Sequence, residues 1–164
     1  MARRPGRKAT AALQVLAAAG VEAHIHTFEH DPRAASFGAE AADALGLDPR
    51  RVLKTLVVTT GAGDLAAAVV PVSATLDLKA TATALGLKRV ALAEPRRAER
   101  VTGSRVGAIS PIGVRGVRRV LLDGSALAHG SVLVSAGRRG LEVELDPHDL
   151  VRVCDALVVP IARE

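Results

Sequence analysis

Lys54 is the residue of this sequence whose surroundings most demand a chemical explanation. It stands in the run Arg51-Val52-Leu53-Lys54-Thr55-Leu56-Val57-Val58, whose apolar, β-branched character predicts a strand. Strand side chains alternate between faces, so Lys54 shares one with Val52, Leu56 and Val58. An ammonium group among them needs a partner, because desolvation disfavours its charged form. An exposed strand end along which the side chain snorkels, a paired charge, or a ligand that brings the anion would each meet that need.

A second segment with chemical potential is Gly107-Ala108-Ile109-Ser110-Pro111. Glycine permits positive φ and close backbone approach, while proline fixes the far end and removes a donor. The amides between them could cradle a ligand oxygen with no catalytic side chain, although the same pattern also makes an ordinary turn. His24, His26 and His30 form a loose cluster, the first two on one strand face. No cysteine pair or Glu-rich helix completes the ligand set zinc requires, so no metal is expected. Cys154 sits at helical spacing from Leu150 and Val151 and near Leu157, and reads as a small buried thiol rather than a nucleophile. Ser110, Ser135, His129, His148 and Asp146 could supply a Ser/His/Asp set, but no nucleophile-elbow pattern accompanies them. Glu142 and Glu144 alternate with Leu141, Val143 and Leu145, the mark of the solvated face of a half-buried strand. The pairs Arg118-Arg119 and Arg138-Arg139 fall in loops or at strand ends, as surface charge or as phosphate contacts.

The elements that must position these residues follow from caps and periodicity. Thr10 predicts a helix start with Leu13, Leu16 and Ala17 on one face and Gly20 as its stop. A strand is expected over 22–28, a helix over 38–45, and a turn at Asp48-Pro49 leading into the Lys54 strand. Runs 53–60 and 65–72, separated by Gly61-Ala62-Gly63-Asp64, predict a hairpin. Asp77 caps a helix ending at Gly86, and Glu94-Pro95 opens a short basic helix ending near Gly103. Strands are expected over 106–110, 119–123, 131–136 and 141–145, then a helix from Asp146-Pro147 to about Asp155 and a short strand over 157–161. Ala-Leu-Gly-Leu occurs at 44–47 and again at 84–87, where Gly at C′ and an apolar C″ residue fit two similar helix stops better than a duplication. Hairpin strands with interspersed helices give an α+β fold around a curved mixed sheet.

Length and charge narrow the rest. At 164 residues the chain suffices for one well-filled core, so residues 9–164 are expected to form a single domain behind a basic tail over 1–8. With no Trp or Tyr and 2 Phe, several bases cannot be stacked on aromatics as in the common single-strand binding modules. Net charge is +5, and 18 of the 22 cationic residues are Arg, whose rigid fork suits a polyanionic partner, although an Arg/Ala compositional bias gives the same balance. One cysteine excludes an intrachain disulfide. No apolar run long enough for a signal peptide or membrane span follows the basic start, so a cytoplasmic protein without membrane association is expected.

In order along the chain, His26-Thr27-Phe28-Glu29-His30-Asp31-Pro32, Phe37-Gly38, Val52-Leu53-Lys54-Thr55-Leu56, Leu76-Asp77-Leu78-Lys79, Ala84-Leu85-Gly86, Val106-Gly107-Ala108-Ile109-Ser110-Pro111 and Arg139-Gly140-Leu141-Glu142 strongly resemble the YbaK-like Cys-tRNA(Pro) deacylases. These belong to the editing-domain superfamily related to the insertion domain of bacterial prolyl-tRNA synthetase. The resemblance implies a partly barrel-like mixed sheet with peripheral helices, no metal or other cofactor, and a free-standing enzyme hydrolysing the ester of a mischarged tRNA at its 3′ acceptor end, with prolyl-tRNA synthetase as a candidate partner. It makes Lys54 the essential lysine and Gly107 the start of the loop that holds the ester. Phe28, Phe37, Ala108, Ile109, Ser110, Pro111, Ser135 and Glu142 fall on substrate-binding positions, and Arg118, Arg119, Arg138 and Arg139 are candidate tRNA-backbone contacts. The chain departs from the pattern at Phe28, where many relatives carry tyrosine, at Glu142, often aspartate, and at Ala108, commonly glycine. The added methylene and methyl narrow the implied pocket, which keeps other small amino acids such as alanine open as substrates. The implied chemistry is substrate-assisted, the cysteine thiol attacking its own ester, with water as the rival nucleophile. A noncatalytic tRNA- or nucleotide-binding module on the same fold is the alternative to an enzyme.

Overall fold

The structure is a computed structural model that describes residues 9–34 and 36–164, and the basic segment 1–8 lies outside the described residues. In chain order the elements are α1 (Ala11–Ala19), β1 (His24–Thr27), α2 (Phe37–Leu45), β2 (Leu53–Thr60), β3 (Leu65–Pro71), β4 (Thr75–Leu76), α3 (Leu78–Ala84), β5 (Val90–Leu92) and α4 (Pro95–Thr102). There follow β6 (Val117–Asp123), a 3-10 turn (Gly124–Ala128), β7 (Val132–Arg138), β8 (Leu141–Leu145), α5 (Pro147–Cys154), β9 (Leu157–Val159) and β10 (Ala162–Arg163).

The caps form where the sequence places them. Thr10, Asp77 and Asp146 side chains accept from the Leu13, Ala80 and His148 amides. The two Ala-Leu-Gly-Leu segments close their helices identically. Leu47 N–H donates to the Ala42 carbonyl and Leu87 N–H to the Ala82 carbonyl, each after a glycine at φ 65 or 70°. These are Schellman stops. α2 starts at Phe37, one residue ahead of the expected helix, because the Ser36 hydroxyl accepts from the Ala39 amide.

The strand order is β5-β2-β3-β6-β9 in one sheet and β1-β8-β7 in another, with β10-β4 as a small pair. The 53–60 and 65–71 strands pair antiparallel as expected of a hairpin, while β3–β6 and β6–β9 are parallel. Sheets are therefore mixed, and the α+β class holds. A parallel bridge between Val52 and Leu133 joins the two large sheets at one point, with Leu133 N–H donating to the Arg51 carbonyl. The sheets curve around a shared core of Leu53, Val69, Leu122, Val134, Val143 and Leu150, but among the described residues no strand pairing closes them into a barrel.

Two expectations are corrected. Residues 106–110 form an irregular loop, not a strand, because Gly107 adopts φ 86° and the segment bonds to side chains rather than to a neighbouring strand. Glu142 does not lie on a solvated face. β8 is the central strand of its sheet, one face packs into the shared core, and the other is roofed by α2 and the start of β2 through Ala41, Ala42, Val52 and Leu133. Glu142 is consequently only 8% exposed.

Candidate functional site

Beyond the Val52–Leu133 bridge β2 and β7 part, and a cavity of about 220 Å³ opens in the seam. Residues 52–56 form one wall, Ser135 and Glu142 the other, and Ser36, Phe37, Gly38, Val106, Gly107 and Ile109 close it. The cavity is mostly apolar with a few convergent polar groups, the composition of a small-molecule site.

Lys54 lies where strand alternation puts it. Val52 packs on α2, Leu56 and Val58 join clusters on the outer side of the sheet, and Leu53 turns into the shared core. The Lys54 side chain is half-buried, and burial holds its pKa below the ordinary lysine range. Facing it across the seam, the Glu142 carboxyl is pushed up to about 8, again by burial. Its Oε2 has no hydrogen-bond partner. A neighbouring opposite charge would move both groups the other way. Burial is the one cause at each, so the two do not neutralise one another.

The start of the 107–111 loop is tied down on both sides of Gly107. Glu99 accepts from the Val106 N–H at 3.0 Å, and Arg139 donates to the Val106 carbonyl at 3.2 Å. The Ala108 N–H donates to the Arg105 carbonyl at 2.9 Å, and the Ala108 carbonyl accepts from the Ser135 hydroxyl at 2.9 Å. These bonds consume the polar groups of Ala108, whose side chain is buried, and turn it out of the cavity. Gly107 and Ile109 line the cavity instead, and among the described residues neither amide donates a hydrogen bond within the protein. Two unspent N–H groups in a fixed loop can stabilise an oxyanion.

Phe37 packs directly on this loop. A Cβ at position 107 would lie 2.1 Å from its Cδ2 and 2.8 Å from its Cβ, so the backbone there comes as close as glycine alone permits. The Arg139 guanidinium stacks 4.3 Å above the Phe37 ring, and the His30 ring lies 5.6 Å from it. His30 is in turn held by Glu40 at 2.9 Å.

Of the residues singled out in the sequence, the seam brings together Lys54, Phe37, Gly107, Ile109, Ser135 and Glu142. Phe28 packs instead beneath α2, on the cluster of Ala41, Ala42, Val52 and Leu133. Ser110 borders a separate concavity beside α1, where its hydroxyl accepts from the Ile112 amide. Pro111 offers its carbonyl to the Cys154 thiol at 3.4 Å, and burial pushes that thiol up to about 12. Arg118 pairs with Asp64, and with Arg119 it edges another concavity. Ser110 and Ser135 bond backbone groups rather than histidines, while His148 pairs with Asp146 on the surface. Among the described residues no group of three or more His, Cys, Asp or Glu is arranged to hold a metal ion, and no helix is long and apolar enough to cross a membrane. His26 pairs with Glu144, which also accepts from Arg51 at 2.9 Å and from the Ser131 hydroxyl. The sequence does not announce Glu99 as the anchor of Val106, because no motif marks a side chain that bonds a backbone amide seven residues away.

Residues 31–153 match the family described as "Aminoacyl-tRNA editing domain". The chain is 32% identical over 123 residues, 75% of its own length and 75% of the relative's, to "Putative Cys-tRNA(Pro)/Cys-tRNA(Cys) deacylase EbsC" of Enterococcus faecalis. In fold it is similar to a hypothetical protein of known crystal structure, with TM-score 0.82, 26% identity, and coverage of 92% of this chain and 97% of that one. It is similar also to "a putative trans-editing enzyme for prolyl tRNA synthetase", with TM-score 0.79, 22% identity, and 93% of each chain covered.

Proposed function

Because the chain belongs to the aminoacyl-tRNA editing domain family, we propose that it is a free-standing deacylase that removes cysteine from mischarged Cys-tRNA(Pro). The observation that carries this reading is the seam cavity, which sets an unpaired Lys54 opposite two unspent amides of an immobilised loop. In this reading the tRNA 3′ end enters beside Lys54, whose ammonium holds a phosphate or ribose oxygen. The aminoacyl ester lies along Gly107 and Ile109, whose N–H groups take the charge that develops on its carbonyl oxygen. Prolyl-tRNA synthetase is a candidate partner in delivering the tRNA.

The nucleophile is the substrate's own thiol. Lys54 and Glu142 are the titratable side chains in the cavity wall, and burial, pushing Glu142 up to about 8, favours its protonated form at neutral pH. Glu142 in that form is not a ready base, and Lys54 is taken up by the phosphate or ribose oxygen it holds. The cysteine thiolate attacks its own carbonyl carbon, the bond from that carbon to the ribose oxygen breaks, and the ribose oxygen takes up the proton that the thiol gave up. The product is a thiolactone, which water opens to free cysteine. Holding thiol and carbonyl together supplies through proximity what a protein base would otherwise provide.

The test is a single-turnover comparison, enzyme in excess, of the same tRNA(Pro) charged with cysteine or serine. Much faster release of cysteine, with thiolactone trapped, is the expected result. Equal rates without thiolactone retire the substrate thiol in favour of water. Retention of Cys-tRNA(Pro) without turnover retires the deacylase in favour of a binding module.

A further inference from the structure

Glu142 is a carboxyl group that the fold has buried and left unused. It is 8% exposed, its Oε2 meets no donor, and it lines the cavity. In a protein interior such an acceptor costs free energy unless something comes to meet it. Its surroundings show what can. Ser135 lies directly across from it on β7, but the Ser135 hydroxyl is committed to the Ala108 carbonyl and accepts from the Gly137 amide. His26 lies across from it on β1 and is committed to Glu144. Glu144, two residues along the same strand face, is satisfied by Arg51, His26 and Ser131. Arg139, three residues back in the hairpin turn, donates through Nη2 to Val106 and stacks on the Phe37 ring, and among the described residues its buried Nε donates neither to Glu142 nor to any other group. Lys54, on β2, shares the cavity without pairing. α2 offers Phe37 and Gly38, neither of them charged.

A ligand in this seam therefore meets a cation at one wall and an unsatisfied acceptor at the other. Building on the deacylase reading, we infer that Glu142 is the receptor for the α-ammonium group of the esterified amino acid. An aminoacyl ester carries one cationic group, its ammonium. Lys54 repels that group and attracts the phosphate and ribose oxygens, while Glu142 attracts it and has no other donor to satisfy it. The two opposed charges orient the ester between them with its carbonyl toward Gly107 and Ile109. The same arrangement defines the substrate class as esters with a free amino group. An N-acylated ester, such as formylated or peptidyl tRNA, offers no cation and leaves Glu142 unsatisfied, so the site rejects it.

Binding to the seam is also linked to protons. An ammonium that ionises the carboxyl on arrival expels its proton when the pH lies between the lower pKa the carboxyl takes beside that charge and the value of about 8 that burial imposes on it.

The probe is a non-hydrolysable 3′-cysteinylamido-3′-deoxyadenosine, compared with its N-acetyl derivative by titration calorimetry in buffers of different ionisation enthalpy. The free-amine compound is expected to bind at least about tenfold more tightly, the worth of one charge-assisted hydrogen bond, and to release a proton that the acetylated compound does not. Both differences should vanish in Glu142→Gln and persist in Glu142→Asp, with thermal unfolding confirming that each variant is folded. Equal affinity of the two compounds for the wild-type protein, no binding of the free-amine compound, or a preference that survives Glu142→Gln would overturn the assignment. Turnover of Cys-tRNA(Pro) is measured alongside. Intact turnover with no amine preference rejects the role of Glu142 and leaves the deacylase standing.

Discussion

Gly107→Ala separates backbone strain from the close packing of Phe37. Position 107 has φ 86°, where a side chain costs roughly 1–2 kcal/mol. The new Cβ would also fall 2.1, 2.3 and 2.8 Å from Phe37 Cδ2, Cγ and Cβ, contacts that no rotation of the ring tip relieves. Phe37 must swing away, losing the Arg139 stacking, a further loss of about 0.5–1 kcal/mol. The sum, about 1.5–3 kcal/mol, lowers the melting temperature of a chain this size by roughly 3–12 °C. The control is Gly20→Ala, which has a similar φ of 65° but nothing within 4 Å of the added methyl. It should pay the strain alone, roughly 2–8 °C. In single-turnover deacylation Gly107→Ala should fall by about 10²-fold or more, because the loop amide and the Phe37 wall move together, and Gly20→Ala should be unchanged. A Phe37→Ala/Gly107→Ala double variant should be less destabilised than the two single effects added, since the ring contacts at 2.1 and 2.3 Å are gone and only the 2.8 Å approach to the Cβ of residue 37 remains. Equal melting losses for both glycines with activity retained in Gly107→Ala would refute the close packing and the role of the loop.

Lys54→Ala should keep the fold, since the removed group is half-buried and unpaired, and should lose about 10²-fold or more in single-turnover rate. Normal turnover by a folded variant would remove Lys54 from the site. Glu142 has a folded pKa of about 8 against an ordinary 4.5, so the folded state binds the extra proton. The stability it contributes is full below 4.5 and declines as pH rises toward 8, by a few kcal/mol at most. Urea denaturation should show that slope in the wild type and not in Glu142→Gln. Cys154, with its thiol pushed up to about 12, should resist alkylation at pH 8 in the folded protein, and Cys154→Ala should lose modest stability and little deacylation. An inactive, folded Cys154→Ala would mean that the protein uses its own thiol.

The parts of this fold legible in the sequence are those set by neighbours a few residues apart. Capping side chains, the two Schellman glycines and the period of the Lys54 strand are local. Their physics is complete within a turn or a strand. Glu142 shows the limit. Its alternation with Leu141 and Val143 is the same whether the opposite face meets water or another layer, and only α2 and β2, distant in sequence, decide for burial. The parallel pairings of β3 with β6 and β6 with β9 depend likewise on crossovers that leave no local mark. Residues 106–110 misled in the other direction. Val106 and Ile109 are strand formers, but a glycine at φ 86° and a following proline leave the backbone to be held by Glu99, Arg139 and Ser135 instead. Arg139, read as surface charge or as a phosphate contact, donates to Val106 and stacks on Phe37, because the hairpin turn returns it over the site.

The single bridge between Val52 and Leu133 makes the cavity a wedge, with its vertex at one residue pair and Lys54 on a wall that leads away from it. The vertex is fastened by Arg51, whose guanidinium reaches the Ser131 carbonyl at 3.1 Å, the Ser131 hydroxyl at 2.7 Å and Glu144 at 2.9 Å. A wedge magnifies angular error with distance from its apex. Lys54 stands two residues beyond Val52, about 7 Å along the strand, so an opening of about 5° displaces it by about 0.6 Å, near the scale at which misplacement costs up to about 10²-fold in rate. Arg51 touches no ligand in this arrangement, yet it calibrates the aperture. Lysine there, with one point charge in place of a fork, should alter the rate of chemistry while leaving every residue of the cavity wall intact.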